Sequence, residues 1–311
     1  MMRSVAWACA LVGGTALFAL GSCNDGGRGS AARATPAPIA VAPRSVQAQP
    51  APPTQTQRAA EFTLAGQFTQ GGWLRGTAPL GAISLTLAGR DLPMAADGSF
   101  FAAFDRDAGN TATLTAQMGA GPAVTRPLAI SARAWNIEHI PLGPRPGTPP
   151  DPVFLQRRAG ELAQINAARA TGQQSDGWRQ NFVWPLRGRI SGRFGAQRIY
   201  PAGPANYHSG MDIAGATGTP FVAPADGVVI LAAASNSFSL EGHLLMIDHG
   251  MGLNSAFLHC SSLDVRVGDR VRQGQVLGRV GMTGRATGPH LHWSIKWREA
   301  RLDPLLFVGG S

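Results

Sequence analysis

Alternating apolar and polar residues dominate the segment 61–141. The run AISLTLAG has Ile83, Leu85 and Leu87 at every second position, so a strand there would turn all three to one face. The runs TATLTAQ and AVTRPLAI repeat the alternation at the spacing of a small sandwich. The segment is therefore predicted to form an N-terminal β-sandwich domain.

A hairpin turn is predicted inside this domain. The dipeptide Asp97-Gly98 is a common two-residue turn between antiparallel strands, and the run SFFAAF follows it. Phe100, Ala102 and Phe104 share one face of that run. The turn and the run together predict two antiparallel strands.

A linker that contains one amphipathic helix is predicted over 142–181. Prolines between 144 and 152 interrupt regular structure, and Asp151 and Gly172 are candidate start and stop signals for the helix. The residues at near-helical spacing are Phe154, Leu155, Arg158, Leu162, Ile165 and Ala168.

A second β-rich segment is predicted over 182–308, where short strand-like runs alternate with turn signals such as Asp226-Gly227. Composition agrees, since 40 glycines and 23 prolines favour many turns, and 44% hydrophobic residues suffice for real cores. The predicted fold class is mainly β, with a small N-terminal β-sandwich, a linker helix and an antiparallel-β C-terminal domain.

Residues 1–23 have the organisation of a secretory signal peptide. Arg3 supplies the positive charge, and the apolar stretch that ends at Leu20 is too short for a convincing spanning helix. The sequence LGSC resembles a bacterial lipobox, in which Cys23 carries the lipid. Simple cleavage near Ser22, giving a soluble secreted protein, is the alternative.

Residues 24–60 are predicted to be a disordered tether, because Gly, Ala, Pro, Ser and Gln predominate and large apolar groups are few. Cys9 leaves with the signal peptide and Cys23 would carry lipid, so Cys260 alone remains of the three cysteines. No intrachain disulfide is expected in the mature fold.

The net charge of +9 favours an anionic partner such as a lipid surface, a nucleic acid or an acidic polymer. No cluster of arginines with interleaved aromatic residues occurs, which argues against nucleic acid. The expected partners are therefore a membrane, through the N-terminal lipid, or an acidic polymer.

Five residues of the second β-rich segment could form one site. His290 and His292 flank Leu291 and would share one face of a strand. His208 and Asp212 lie four residues apart, and His259 follows in AFLHCSS. Imidazole and carboxylate are ordinary zinc ligands, and catalytic zinc takes three protein ligands and leaves a position for water. Each piece is weak alone, but the combination predicts a zinc site with histidines left over for proton transfer.

Residues 182–308 resemble the lysostaphin/LytM-type zinc metallopeptidase domain, which cuts peptide bonds in bacterial peptidoglycan. The stretches that carry the resemblance are WPLRGRISGRFGAQR (184–198), HSGMDIAGATGTPFVAPADGVV (208–229), FLHCS (257–261) and VRVGDRVRQGQVLGRVGMTGRATGPHLHW (265–293).

The resemblance implies a role for each site residue. His208, Asp212 and His292 occupy the positions of the zinc ligands, and His259 and His290 those of the catalytic histidines. The sequence leaves open which of the two accepts a proton and which donates one. The resemblance also places Arg198 near the groove, either to hold loops or to bind an anionic substrate, and an ordinary exposed arginine is the equal alternative.

This chain departs from the family pattern at two positions. Phe257 stands where the family usually has tyrosine, and Cys260 stands where it often has leucine. Because neighbouring residues of a strand point to opposite faces, Cys260 is interpreted as a small core residue and not as a ligand.

Three other functions fit the sequence less well. VRVGDRVRQGQVLGRVG also resembles a biotinyl- or lipoyl-carrier domain, but the only lysine, Lys296, is not at a hairpin tip. A non-catalytic regulator of cell-wall amidases typically lacks zinc ligands, whereas all are present here. A purely structural lipoprotein leaves five co-placed residues unexplained.

The resemblance and the signal together predict an exported zinc endopeptidase that acts on peptidoglycan stem peptides. Asn24 after the cysteine favours the outer membrane, and hence the periplasm of a Gram-negative cell. In that setting relatives commonly cut the D-alanyl to meso-diaminopimelate cross-link, which makes a D,D-endopeptidase the expectation. The oligomeric state cannot be predicted from the sequence.

Overall fold

The computed structural model describes residues 61–140, 151–200, 203–204 and 206–309. Strands account for most of the regular structure in these ranges, together with one α-helix, α1 (Pro152–Ala170), and 3-10 turns at Gly177–Arg179 and Pro304–Leu306. The prediction of a mainly β fold is confirmed.

Seven N-terminal strands form two small antiparallel sheets. The strands are β1 (Thr63–Gly66), β2 (Trp73–Thr77), β3 (Ala82–Leu87), β4 (Arg90–Leu92), β5 (Ser99–Ala103), β6 (Thr111–Met118) and β7 (Val124–Ala129). The strand orders are β1-β2-β5 and β4-β3-β6-β7. Leu74 and Phe100 of one sheet join Leu85 and Leu114 of the other in a single buried core. The predicted β-sandwich is confirmed.

The residues predicted to face the core are buried in β5, but not throughout β3. Phe100 and Ala102 are buried as predicted. The chain turns at Gly98, whose φ is +81°, but β5 pairs with β2 and not with the preceding β4, so the predicted hairpin does not form. Ile83, by contrast, is 68% exposed, because the pairing of β3 with β6 shifts register between Ala82 and Ser84. The extra residue of this bulge turns Ile83 away from the core.

Helix α1 begins and ends where its sequence signals predict. The Asp151 carboxylate accepts a hydrogen bond from the Val153 amide (3.0 Å), and Gly172 follows the last turn with φ of +56°. The predicted apolar face is only partly correct, since Leu155 and Leu162 are exposed and the buried residues are Glu161, Ile165 and Ala168.

The remaining strands build the C-terminal domain. They are β8 (Ile137–His139), β9 (Ile190–Gly192), β10 (Gln197–Tyr200), β11 (Gly203–Pro204), β12 (Met211–Ala214), β13 (Pro220–Val222), β14 (Gly227–Phe238), β15 (Gly242–Asp248), β16 (Leu253–Cys260), β17 (Ser262–Leu263), β18 (Arg270–Val271), β19 (Val276–Arg279), β20 (His290–Trp297) and β21 (Ala300–Leu302).

An eight-stranded antiparallel sheet is the centre of this domain. Its order is β18-β14-β15-β16-β20-β12-β9, and β21 pairs with β20. Two three-stranded sheets, β13-β19-β17 and β11-β10-β8, lie beside it, and β8 runs parallel to β10. The dipeptide Asp226-Gly227 is not a hairpin turn, because β14 pairs with β15 and β18 and not with the preceding β13.

The two faces of the eight-stranded sheet are covered differently. The inner face carries the main core, which includes Ile213, Phe257, Leu291 and Trp293. On the outer face, Ile165 and Ala168 of α1 pack on a smaller apolar cluster formed by Ile230, Phe238, Leu244, Met246 and Ala256. The helix therefore lies on the sheet and does not merely connect two domains.

The sandwich also packs directly against the C-terminal domain. The Trp73 ring lies 5.3 Å from that of Phe307, and Phe101 lies 6.2 Å from Trp297, measured between ring centroids. An ion pair of 2.7 Å joins Arg133 to the buried Asp303. Both faces of β5 are buried for this reason, one in the sandwich and one against the C-terminal domain.

Candidate metal centre and active site

Two adjacent strands bring Asp212 and His292 together. In the β12–β20 pair, Asp212 lies directly opposite His292, and Asp212 Oδ1 is 2.8 Å from His292 Nδ1. Ile213 and Leu291, which are neighbours in the same register, are fully buried on the other face. The two-residue period of a strand thus separates the polar site from the core beneath it.

His208 reaches the same point from the loop before β12. Its ring Nδ1 donates to the Arg193 carbonyl (3.0 Å), since a carbonyl can only accept, and this leaves Nε2 without a hydrogen in the neutral ring. His208 Nε2 lies 3.1 Å from Asp212 Oδ1 and 3.1 Å from His292 Nδ1. Three potential ligand atoms from three parts of the chain therefore converge.

The donor set and its spacing fit a zinc ion. The ligand atoms of His208, Asp212 and His292 all lie within 4.8 Å of one another. A tetrahedral zinc ion with ordinary bonds of about 2.0–2.1 Å would separate its ligand atoms by roughly 3.3 Å, close to the contacts seen here. The hydrogen bond from His208 to Arg193 is the kind of outer contact that orients a metal-binding imidazole.

In the metal-free cluster, the electrostatics favour the protonation states that a metal requires at Asp212 and His292 but not at His208. Burial alone would raise the pKa of Asp212, but hydrogen bonds to His208 and His292 overcome it and lower that pKa. Burial is also the largest influence on His292 and lowers its pKa. In His208, burial is outweighed by the hydrogen bond and charge of Asp212, which raise the pKa. Asp212 is thus ionised and His292 tends to be neutral.

Two glycines make room for these side chains, and sequence analysis assigned neither a role. A Cβ on Gly192 would lie 2.3 Å from Asp212 Oδ2, and one on Gly210 would lie 2.6 Å from His292 Nε2. Both glycines lie within the stretches that carry the family resemblance. Their positions in those stretches, close to the ligands, are the sequence feature that could have identified them. The site excludes any larger side chain at either position.

His259 and His290 lie beside the cluster and against each other. Their ring centroids are 4.9 Å apart, and His290 Nε2 is 3.7 Å from Asp212 Oδ1. His259 Nδ1 donates to the Thr283 carbonyl (2.9 Å) and His290 Nδ1 to the Gly288 carbonyl (2.8 Å). In the neutral rings, Nε2 of each histidine is therefore left able to accept a proton.

The backbone of His259 is in the left-handed region, with φ of +64°. Leu258 lies opposite His292, so regular alternation would turn His259 into the core. The unusual φ brings the ring beside His290 instead, at a cost of about 1–3 kcal/mol that the surrounding structure must offset. Burial lowers the pKa of His259 to about 4, so this ring is neutral at pH 7.

The two departures from the family pattern both lie in the core. Phe257 is fully buried, and its ring lies 5.3 Å from that of Phe221. Cys260 is also fully buried, as predicted, and burial raises the pKa of its thiol to about 12. A protonated, enclosed thiol is not a metal ligand.

Arg198 has a partner away from the cluster. It lies on β10, where its Nε is 3.0 Å from a Glu138 carboxylate oxygen of β8, and both side chains are exposed. Its predicted contact with substrate stays a prediction.

His249 is a buried structural residue. Its Nδ1 donates to the Asp226 carbonyl and its Nε2 accepts from the Ser255 hydroxyl, each at 2.8 Å. The predicted signal peptide, the tether and the lipidation site Cys23 lie outside the described residues. Within the described ranges, no helix has the length and apolar character needed to cross a membrane.

Residues 206–304 match the profile of peptidase family M23. The chain is similar to the peptidoglycan DD-endopeptidase ShyC of Vibrio cholerae, with 40% identity over 106 residues that make up 34% of this chain and 24% of ShyC. It is 36% identical over 116 residues to the cell division protein DipM of Caulobacter vibrioides, which is 37% of this chain and 18% of DipM. The chain thus spans about a quarter or less of the length of these relatives.

A solved structure extends the similarity beyond the matched segment. The crystal structure of a putative M23 peptidase from Pseudomonas aeruginosa shares 27% identity and a TM-score of 0.59, over 78% of this chain and 96% of that one. The similarity covers more than residues 206–304, so it includes part of the chain before the matched segment. Residues 206–304 therefore match peptidase family M23, and the similarity in fold to this neighbour extends beyond them.

Proposed function

We propose that the M23 domain of this chain is a zinc-dependent endopeptidase that hydrolyses peptide cross-links of bacterial peptidoglycan. The observation that carries the proposal is the convergence of His208, Asp212 and His292, with His259 and His290 beside them. A metal-ligand triad with two free imidazoles at its edge is a complete set of groups for metal-assisted hydrolysis.

His208, Asp212 and His292 would hold the ion. When bound, zinc lowers the pKa of a water molecule to about 7 and polarises the scissile carbonyl. His259 and His290 each offer a bare Nε2, which can take a proton from the attacking water and return it to the leaving amine. The low pKa of His259 keeps its ring neutral at pH 7 before the reaction.

The proposed bond is the D-alanyl to meso-diaminopimelate cross-link. The name of ShyC as a DD-endopeptidase supports this choice, and so does that of ShyA, also from Vibrio cholerae, which is 37% identical over 117 residues, or 37% of this chain and 26% of ShyA. The net charge of +9 suits an acidic polymer as substrate. Arg198 is proposed as a further substrate contact at the rim.

The proposed location is the periplasm of a Gram-negative cell, with the enzyme anchored to the outer membrane by lipid on Cys23. The signal-like residues 1–23 and the lipobox-like LGSC support export and anchoring. Residues 24–60 would span the distance from the membrane to the cell wall.

A non-catalytic regulator of amidases is the alternative function. The name of DipM connects one relative with cell division and not with peptide cleavage. The intact triad and both extra histidines argue against the alternative, because a regulator has no need of them.

The test is digestion of purified peptidoglycan by the full chain, analysed by mass spectrometry with added zinc and with chelator. New uncross-linked muropeptides should appear with zinc and disappear with chelator and in His290→Ala and His292→Ala. His139→Ala, an exposed histidine at the end of β8, is the matched control and should cleave normally. Absence of both zinc binding and cleavage would reject the endopeptidase and favour the regulator.

A further inference from the structure

A cavity of about 230 Å³ lies between helix α1 and the outer face of the eight-stranded sheet. Its wall includes the candidate ligand His292 and Ser209, the neighbour of His208. The cavity therefore adjoins the candidate metal centre. At roughly 30 Å³ per water molecule, it has room for about eight waters, which is enough for one or two small polar groups.

The lining of this cavity is strongly basic. It contains four cationic side chains, Arg158, Arg169, Lys296 and Arg301, against one carboxylate, that of Glu241. Four positive charges less one negative charge leave a net +3. Such an excess in a partly enclosed space attracts an anion.

The single carboxylate in the lining, that of Glu241, is already paired with Arg158. Arg158 holds Glu241 through two hydrogen bonds of 2.7 Å each, a bidentate pair. Arg158 also lies 3.0 Å from the buried Glu161 of the same helix. This network anchors α1 to the β14–β15 turn and leaves Glu241 with little capacity to neutralise the other cations.

Among the described residues, Arg169 and Arg301 form no ion pair with a carboxylate, and Arg301 lies 5.4 Å from the centroid of the neutral Tyr207 ring. Arg169 Nε donates to the Asn254 amide oxygen (3.3 Å), a neutral partner. Burial lowers the pKa of Arg169, Glu299 opposes that shift, and the charge of Arg301 adds to it. Lys296 pairs with Glu299, whose carboxylate is 90% exposed and so strongly screened. Within the described residues, the cavity thus combines uncompensated positive charge with partial burial.

We propose that this cavity is an anion subsite that binds a free carboxylate of the peptide substrate, with Arg169 as its main positioning residue. The inference rests on the proposed function, since it adds a substrate contact to the same site. A guanidinium binds a carboxylate through two parallel hydrogen bonds, and the stem peptides of peptidoglycan carry free carboxylates. Arg169 lies on α1, outside the matched residues 206–304, so the linker helix would contribute to substrate choice.

The test uses the full chain loaded with zinc and two substrates. One is a cross-linked muropeptide dimer with free carboxylates, and the other is the same dimer with its carboxylates amidated. For wild type, amidation should raise KM about tenfold, as loss of a charge-assisted contact predicts. Arg169→Gln should raise KM about tenfold for the free acid, with kcat within twofold, and should add nothing for the amidated dimer.

Two further variants separate this subsite from general charge effects. Arg169→Lys keeps the charge and should recover most of the affinity for the free acid. Arg126→Gln removes the same charge from an exposed position on β7 and should change neither KM nor kcat. Equal KM values for the two dimers in wild type, or equal changes for both dimers in Arg169→Gln, would overturn the proposal.

A binding measurement distinguishes failure of the subsite from failure of the proposed function. The metal-free full chain is titrated calorimetrically with an uncross-linked stem tetrapeptide and with its amidated form, so that zinc cannot hold the carboxylate. Binding that weakens about tenfold on amidation and in Arg169→Gln supports the subsite even if no bond is cut. Cleavage without any preference for the free acid rejects the subsite and leaves the endopeptidase standing.

Discussion

The inner and outer faces of the eight-stranded sheet use the same strands for opposite purposes. Along β20, Leu291, Trp293 and Ile295 point into the main core, while His290, His292 and Ser294 point outward. The inner face is stabilised by removal of apolar surface from water, whereas the outer face gathers polar groups at the candidate site, at a cost, beside its own smaller apolar cluster. The apolar core therefore holds the strands in register, and the polar groups of the site do not have to contribute to the stability of the sheet.

The largest effect is expected from a substitution on the outer face. His292→Ala removes one of the three candidate ligands, so zinc binding should fall below detection and peptide cleavage should drop about 10³-fold or more. The free energy of unfolding of the metal-free protein should change by less than about 1 kcal/mol, because removal relieves the crowding of polar groups there. Calorimetry with zinc, the muropeptide assay and urea unfolding measure the three quantities.

Unfolding of the metal-free protein by His292→Ala would contradict the conclusion that the inner face alone holds the strands together. That result would mean that the polar cluster itself holds the strands together.

The next effect is expected one residue away, on the inner face. Trp293 is fully buried, and Trp293→Ala should lower the free energy of unfolding by about 3–5 kcal/mol, because it leaves a large cavity. The fraction that stays folded should still bind one zinc ion. Urea unfolding and metal content of the folded fraction test this, and a loss of zinc without a loss of stability would contradict it.

A smaller effect on the free energy of unfolding is expected from a change of pH, because His249 is buried on the core side of the sheet. Burial lowers the pKa of His249 to about 4, below the ordinary value near 6.5. Between these values the unfolded chain binds the proton and the folded protein does not, so stability is complete above pH 6.5 and falls as the pH drops towards 4. A shift of this size corresponds to about 3 kcal/mol.

The His249→Gln variant provides the check on this window. The free energy of unfolding of wild type and variant is measured from pH 7 to pH 4, and the variant should lose about 3 kcal/mol less over that range. Parallel pH profiles would show that His249 does not carry the dependence.

The smallest effect is expected from a glycine that makes room for the site. Gly192→Ala would place a Cβ 2.3 Å from the Asp212 carboxylate and should weaken zinc binding about 10- to 100-fold by displacing that ligand. Gly109→Ala is the matched control, because a Cβ at that position meets no atom within 4 Å. Equal zinc affinity in both variants would show that the carboxylate moves aside without cost.

Local sequence signals were sufficient to predict the bounds of the helix and some of the strands of the sandwich. Helix α1 begins after Asp151 and ends before Gly172, as predicted, because helix capping depends on residues within one turn of each end. The register of β3 could not be predicted in the same way, because the bulge that exposes Ile83 arises from pairing with β6, far along the chain. The buried face of α1 also differs from the apolar face that the helical periodicity predicts. Glu161 is buried there because Arg158 and Ser239 stabilise its carboxylate by an ion pair and a hydrogen bond.

The sequence by itself grouped His208, Asp212, His259, His290 and His292 as one candidate site, and the family resemblance implied that His208, Asp212 and His292 are the ligands among them. Alternation, a property of any strand, correctly put His290 and His292 on one face. Only the tertiary structure decided how His259 joins them, because its left-handed backbone overrides the alternation that would have turned it into the core. Contacts distant in sequence also decided that α1 lies on the sheet and encloses a basic cavity beside His292.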